Sequence, residues 1–244
     1  MDETSKTLKL LSKAELARLS GKGIDIGCGP WPVRPDVQPF DQAHGDANHI
    51  TRHVQRASYD YVYSSHCLEH MRDPDHALRE WWQLVKPGGS MLVVVPDEDL
   101  YEQGYWPSLF NKDHKFSFTL SKQRSWSPVS RNLLDMARGL PDAEIVSLRV
   151  QDAGYDRRFL AEGAWPRPIA KLSRAARNLV APVPPLRWLV SGACLLLRLP
   201  IDQLWGGAVA QILLVLEKKP QAALRAGRKP RTSRVRRRGS PRSA

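Results

Sequence analysis

Gly23-Ile24-Asp25-Ile26-Gly27-Cys28-Gly29 is the stretch on which the reading of this chain turns. Ile24 and Ile26 suit a short strand, and Gly27 and Gly29 break it into a turn, since glycine adopts dihedrals that other residues avoid and lets backbone approach a ligand closely. An acid near the strand end, Asp25, can organise both the turn and a ligand's amino group. A tight strand exit alone would look the same, so the following residues decide. A dinucleotide fingerprint needs a third glycine and a helix N-terminus to receive the pyrophosphate. Pro30, Trp31 and Pro32 stand there instead, which predicts a ligand without phosphate.

Working outward, residues 5–20 read as a helix, with Leu8, Leu11, Leu16 and Leu19 near helical spacing and Ser12 with Glu15 as a capping box. Strands are expected at 23–26, 37–41, 59–65, 91–95, 116–120, 143–150 and 208–216. The run Met91–Val95 is apolar throughout, as a parallel strand buried on both faces should be. Asp73-Pro74 opens a helix through Leu84, and Lys86-Pro87-Gly88-Gly89 ends it. Residues 128–138 are expected to be helical, and 97–111 to form a loop carrying Tyr101, Tyr105, Trp106 and Phe110. Together these predict an α/β, Rossmann-like fold: a central, mostly parallel seven-stranded sheet, helices on both faces, and a helical insert, 155–207, before the last strand.

The 244 residues, 42% hydrophobic, suffice for one large domain, predicted over 1–217. The net charge of +12 would suggest a nucleic-acid binder if it were spread evenly, but it is not. Residues 1–154 hold eighteen basic and twenty-one acidic groups, whereas 218–244 hold eleven basic groups and no acid. The tail is Arg-, Ser- and Pro-rich and is expected to be disordered. Cys28, Cys67 and Cys194 form no CxxC pair, and no histidine cluster has metal-ligand spacing, so neither a disulfide framework nor a metal is expected. The acidic N-terminus and the short apolar run 188–197 predict a cytoplasmic protein without a membrane span. The insert mixes Arg167, Lys171, Arg174, Arg177 and Arg187 with Leu172, Leu179, Trp188 and Leu189. That mixture suits either a helical lid with snorkelling arginines or peripheral contact with a membrane presenting a lipid-linked glycan.

Four elements follow one another in order: Asp25-Ile26-Gly27-Cys28-Gly29, Gly45-Asp46-Ala47, Tyr59-Asp60-Tyr61-Val62-Tyr63-Ser64-Ser65-His66-Cys67-Leu68-Glu69-His70, and Val85-Lys86-Pro87-Gly88-Gly89. In this order the chain resembles the class I S-adenosylmethionine (SAM) dependent methyltransferases, in their small-molecule, type 11-like branch, specifically over residues 20–96. The resemblance implies SAM as cofactor and S-adenosylhomocysteine as product. It puts Gly27 and Gly29 beneath the methionine and ribose, with Asp25, Cys28, Ala47 and Ser65 in the same pocket, and it matches Asp46 to the carboxylate that accepts from the adenine amino group. The acid for the ribose hydroxyls is Asp41, with Asp36 as the alternative, because the proline-filled segment after Gly29 is short where relatives carry a helix.

Methyl transfer is an in-line displacement in which the protein positions the acceptor and, for a hydroxyl, removes its proton. Three histidines are candidate bases. His66 and His70 follow a strand and so stand at the carboxyl edge of the sheet, although the Leu68-Glu69-His70 element also serves relatives as a loop brace. His114, in Asn111-Lys112-Asp113-His114, matches a histidine of similar methyltransferases found among polysaccharide-biosynthesis enzymes. No Asn-Pro-Pro-Tyr or Pro-Cys element follows the 59–65 strand, against amino- or cytosine-directed DNA methylation. The aromatic loop fits a sugar or glycan hydroxyl acceptor. An RNA methyltransferase, motivated by the basic tail, and a non-catalytic SAM-fold binding protein, motivated by the shortened proline segment, are the alternatives.

Overall fold

A computed structural model describes residues 3–180, 182–204 and 207–220. The tail expected to be disordered therefore lies outside the described residues from 221 onward.

The sheet has six strands among the described residues: β1 (Gly23–Ile26), β2 (Gln38–Phe40), β3 (Tyr59–Ser65), β4 (Val85–Pro96), β7 (Ala143–Gln151) and β8 (Gln211–Lys218), in the order β2-β1-β3-β4-β8-β7. The pairs β1–β2, β1–β3 and β3–β4 are parallel, and β8 runs antiparallel to both β4 and β7. Side chains alternate across a strand, and here both sides are buried. Val62, Met91, Val93, Leu214 and Leu216 face one core with Trp81, Trp82 and Leu78 of α3 (Pro74–Leu84). Tyr61, Tyr63, Leu92, Val94, Leu213 and Val215 face the other with Leu11, Leu19, Val33 and Val37. Helices or loops thus cover both faces, which is why the central strands read as unbroken apolar runs.

The expected seven-stranded count is corrected to six. The strand expected at 116–120 forms as β5 (Ser117–Thr119), but it pairs in parallel with β6 (Ser130–Asn132) in a separate two-stranded sheet. The reason is steric: both edges of β4 are taken, by β3 and β8, so this segment finds only a single bridge, Asp97 with Phe118, at the end of β4.

The helix expected over 5–20 is two, α1 (Glu3–Leu10) and α2 (Lys13–Ala17). Ser12 is the N-cap between them, and its capping box with Glu15 forms reciprocally, at 3.2 and 2.8 Å. A capping residue has extended dihedrals, so the signal for a helix start interrupts the helix. Likewise the 128–138 helix is only α4 (Leu133–Arg138), begun by Asn132, whose side chain accepts from the Asp135 N–H. Glu98–Glu102 makes a π-turn inside the segment expected to be loop. Between β7 and β8 the chain forms α5 (Arg167–Val180) and α6 (Pro184–Leu196).

α3 positions one wall of the site. Pro74 sits in its first turn and Asp73 caps it through the His76 N–H at 2.9 Å. Trp81 then donates its indole N–H to the Ala47 carbonyl at 2.9 Å, pinning the segment that carries Asp46.

Candidate active site at the carboxyl ends of the parallel strands

A cleft of about 780 Å³ opens where β1, β2 and β3 end, lined among others by Gly27, Gly29, Asp41, Asp46, Ala47, His66 and His70. This is the crevice position expected of open α/β sheets.

Its floor is the glycine turn. Gly27 has φ +77 and Gly29 φ +52, in the left-handed region. The Gly27 N–H donates to the Phe40 carbonyl at 2.8 Å and the Gly29 N–H to Asp41 Oδ2 at 2.8 Å, stitching the turn to the end of β2. A Cβ on Gly27 would lie 2.6 Å from Cys67 Cβ and Sγ, whereas one on Gly29 would meet nothing within 4 Å. The first glycine is demanded by packing, and the second leaves an open cradle.

Asp41 lines the cleft just past β2, with Oδ1 accepting from the Gln42 N–H at 2.6 Å. Each carboxylate oxygen has a second acceptor site, so capacity for a diol remains. Asp36 does not line the cleft; it is solvent-exposed and paired with Arg34 at 2.9 Å. Asp46 caps the 3₁₀ segment Ala47–Arg52, accepting from Asn48 through both its backbone N–H and its amide, at 2.9 and 2.7 Å, and it also pairs with Arg72. The Asn48 amide and backbone bonds and the Arg72 charge hold its carboxyl below the usual range.

Asp25, Cys28 and Ser65 do not line the cleft. Asp25 is 1% exposed beneath the turn and accepts from the Val33 N–H at 2.7 Å, so it ties the proline-rich segment down. Burial pushes its carboxyl up to about 7; the Val33 bond opposes the rise and Asp41 adds to it.

The three histidines converge on one buried carboxylate. Glu69, 0% exposed, has His66 Nδ1 at 3.5 Å and the Nε2 atoms of His70 and His114 both at 3.9 Å from its Oε1. Burial pushes the Glu69 carboxyl up, but the surrounding imidazoles outweigh it and hold the group below its ordinary range. His66, at φ +53, bonds Gln211 Oε1 through Nε2 at 3.0 Å. Since the Gln211 amide donates to Thr7 and to Gln151, its oxygen accepts, and His66 Nε2 carries the proton. His114 does not reach the cleft; it is 6% exposed, its Nδ1 on Glu102 Oε1 at 2.8 Å. His70 lines the cleft with Nδ1 on Asp113 Oδ2 at 2.8 Å.

The arrangement also gathers residues that no local spacing in the sequence groups together. Glu69, His70 and His114 bring ligand atoms within 4.8 Å of one another, because the Lys115 and Phe116 N–H groups bond the Glu69 carbonyl at 2.9 and 3.2 Å and dock the 111–116 loop there. Local spacing carried no sign of it. Sequence reasoning also missed Arg72 and Asn48, which order Asp46.

The aromatic loop divides. Tyr101 packs on His114 with centroids 5.0 Å apart and on Phe110 at 5.9 Å, whereas Tyr105 is 5% exposed in a small core with Leu109, Ala161 and Ala170.

A family model described as a methyltransferase domain matches residues 3–127. The chain belongs to this methyltransferase-domain family. The methyltransferase is 29% identical over 103 residues to the ubiquinone/menaquinone biosynthesis C-methyltransferase UbiE of Vibrio parahaemolyticus, and the match spans 40% of this chain but only 38% of that protein. Similar solved structures include the YcgJ protein of Bacillus subtilis (14% identity, 89% of this chain and 99% of that one, TM-score 0.47). Another is phosphoethanolamine N-methyltransferase 2 of Haemonchus contortus in complex with S-adenosyl-L-methionine (13% identity, 90% and 53%, TM-score 0.44). The match over residues 3–127 takes in the glycine turn, Asp41, Asp46 and the three histidines. The open cradle at Gly29 and the acids beside it, Asp41 and Asp46, fit a ligand bearing a diol and an exocyclic amine.

Proposed function

We propose that this enzyme methylates a hydroxyl of a sugar, glycan or similar small acceptor, with the histidines around Glu69 receiving the proton. The observation that carries the reading is the convergence of His66, His70 and His114 on that buried carboxylate at the edge of the cleft. SAM supplies an already activated methyl group, so the protein's work is alignment and proton removal. In this reading Asp41 holds the ribose hydroxyls and Asp46 the adenine amino group, while Gly27 and Gly29 let the backbone close beneath the cofactor. Asp25 acts from behind by holding the Val33 loop. His70, which lines the cleft, meets the acceptor first. His114 supports it from the interior through Glu102.

Helices α5 and α6 support a peripheral contact with an anionic membrane presenting a lipid-linked acceptor. Leu179, Trp188, Leu189 and Leu196 are 82, 77, 72 and 85% exposed, and residues 163–201 include six basic side chains and no acid. No helix of the described residues is long and apolar enough to cross a membrane. Arg174 of α5 stacks over the Phe110 ring at 5.3 Å.

Calorimetry tests the cofactor assignments: Asp41→Ala is expected to weaken SAM binding by at least about tenfold, the loss of a bidentate charge-assisted contact of roughly 1.5–3 kcal/mol. An unchanged affinity would remove Asp41 from the ribose site. Product formation on hydroxylated glycans that persists in His70→Ala would remove the proposed proton path.

A further inference from the structure

We infer that Glu69, His70 and His114 form a binding site for a divalent first-row transition-metal ion beside the cofactor cleft. His114 Nδ1 lies 2.8 Å from Glu102 Oε1, and His70 Nδ1 lies 2.8 Å from Asp113 Oδ2. A carboxylate accepts, so each Nδ1 is the donor, and in the neutral imidazole each Nε2 is then the nitrogen able to bind a metal ion. Both Nε2 atoms lie 3.9 Å from the same Glu69 oxygen. Glu69 is fully buried, and apart from His66 Nδ1, 3.5 Å from Oε1, neither of its carboxylate oxygens has a hydrogen-bond partner among the described residues.

Two imidazole nitrogens and an anionic oxygen gathered in a dry site are held together by a shared cation, a proton or a metal ion. A metal ion answers that need, and the surroundings are those of a metal centre: ligating histidines commonly donate their far N–H to a carboxylate, which sets tautomer and ring orientation. Here both do. Tyr101 and the His70 ring pack against His114, at 5.0 and 5.1 Å between centroids, and restrict its rotation.

Two imidazoles and one carboxylate suit zinc or another first-row divalent ion; magnesium and calcium prefer all-oxygen sets. Ligand atoms on one such ion stand roughly 3–3.5 Å apart for bonds near 2.1 Å, so the present 3.9 Å separations close by under about 1 Å. With the ion in place the His70 and His114 nitrogens are ligands rather than bases, so an acceptor hydroxyl bound at an open position, acidified by the ion, would pass its proton to solvent; that catalytic role rests on the function proposed above, and the binding site does not.

Cobalt(II) titration of the full chain, freed of metal with chelator, tests the site. Visible d–d bands saturating at about one ion per chain are expected, lost in His70→Ala and in His114→Ala and kept in His76→Ala, which alters only the separate His49–His76 pair. No saturable signal, or unchanged binding in the His70→Ala/His114→Ala double variant, would overturn the inference. Should those variants fail to fold, X-ray absorption of the zinc-loaded wild-type protein decides: two imidazole nitrogens support the site, and a shell lacking imidazole overturns it. SAM calorimetry run in parallel separates the outcomes, since intact metal binding without SAM affinity would count against the proposed function alone.

Discussion

At the scale of single residues, the two glycines of the first turn are alike in sequence and opposite in what they tolerate. Gly27→Ala forces a methyl against Cys67 Cβ and Sγ at 2.6 Å as well as imposing a left-handed φ of +77 on a residue with a Cβ. Gly29→Ala carries only the conformational cost, about 1–2 kcal/mol, because its methyl enters open space. Gly27→Ala is therefore expected to lower the denaturation midpoint well beyond Gly29→Ala, while Gly29→Ala weakens SAM binding out of proportion to its stability loss. Equal losses of stability in the two variants, measured by urea unfolding, would contradict this assignment of roles. The glycines themselves were legible from sequence because a strand exit is a local event. Which of them is packed was not, since Cys67 approaches from another strand's end.

At the scale of elements, signals that act within a few residues survived into the structure. The Ser12–Glu15 capping box and the Asp73-Pro74 helix start both form as expected. What failed was extent: a cap placed inside an apolar repeat splits it, and a strand with no free edge to join becomes part of another sheet. Elements α5 and α6 carry a surface prediction. Trp188→Glu and Leu189→Glu are expected to abolish sedimentation with anionic vesicles while leaving thermal stability within about 0.5 kcal/mol, as substitutions of exposed side chains do. A marked stability loss would mean that these residues, 77 and 72% exposed in the single chain, cover another part of a protein assembly.

At the scale of the whole molecule, folding is linked to pH through Asp25. Its carboxyl rises from 3.8 to about 7 on folding, so the fold prefers it protonated. The associated stability is fully present below pH 4 and is lost as pH rises through 7. Asp25→Asn keeps an acceptor for the Val33 N–H without the charge. It is expected to unfold at higher urea than wild type at pH 8, with the difference vanishing toward pH 4. A difference of the opposite sign at pH 8 would show that the ionised carboxylate is stabilised in the fold. The sequence by itself determined the α/β class, the glycine turn, the placement of Asp41 and Asp46 near it, and the methyltransferase kinship, because each depends on neighbours within one strand–turn unit. Only the tertiary structure decided between Asp41 and Asp36 at the cleft, buried Asp25 beneath it, and gathered Glu69, His70 and His114. Those outcomes depend on which segments pack together, and the docking of the 111–116 loop on the Glu69 backbone is a long-range contact that periodicity and spacing cannot express.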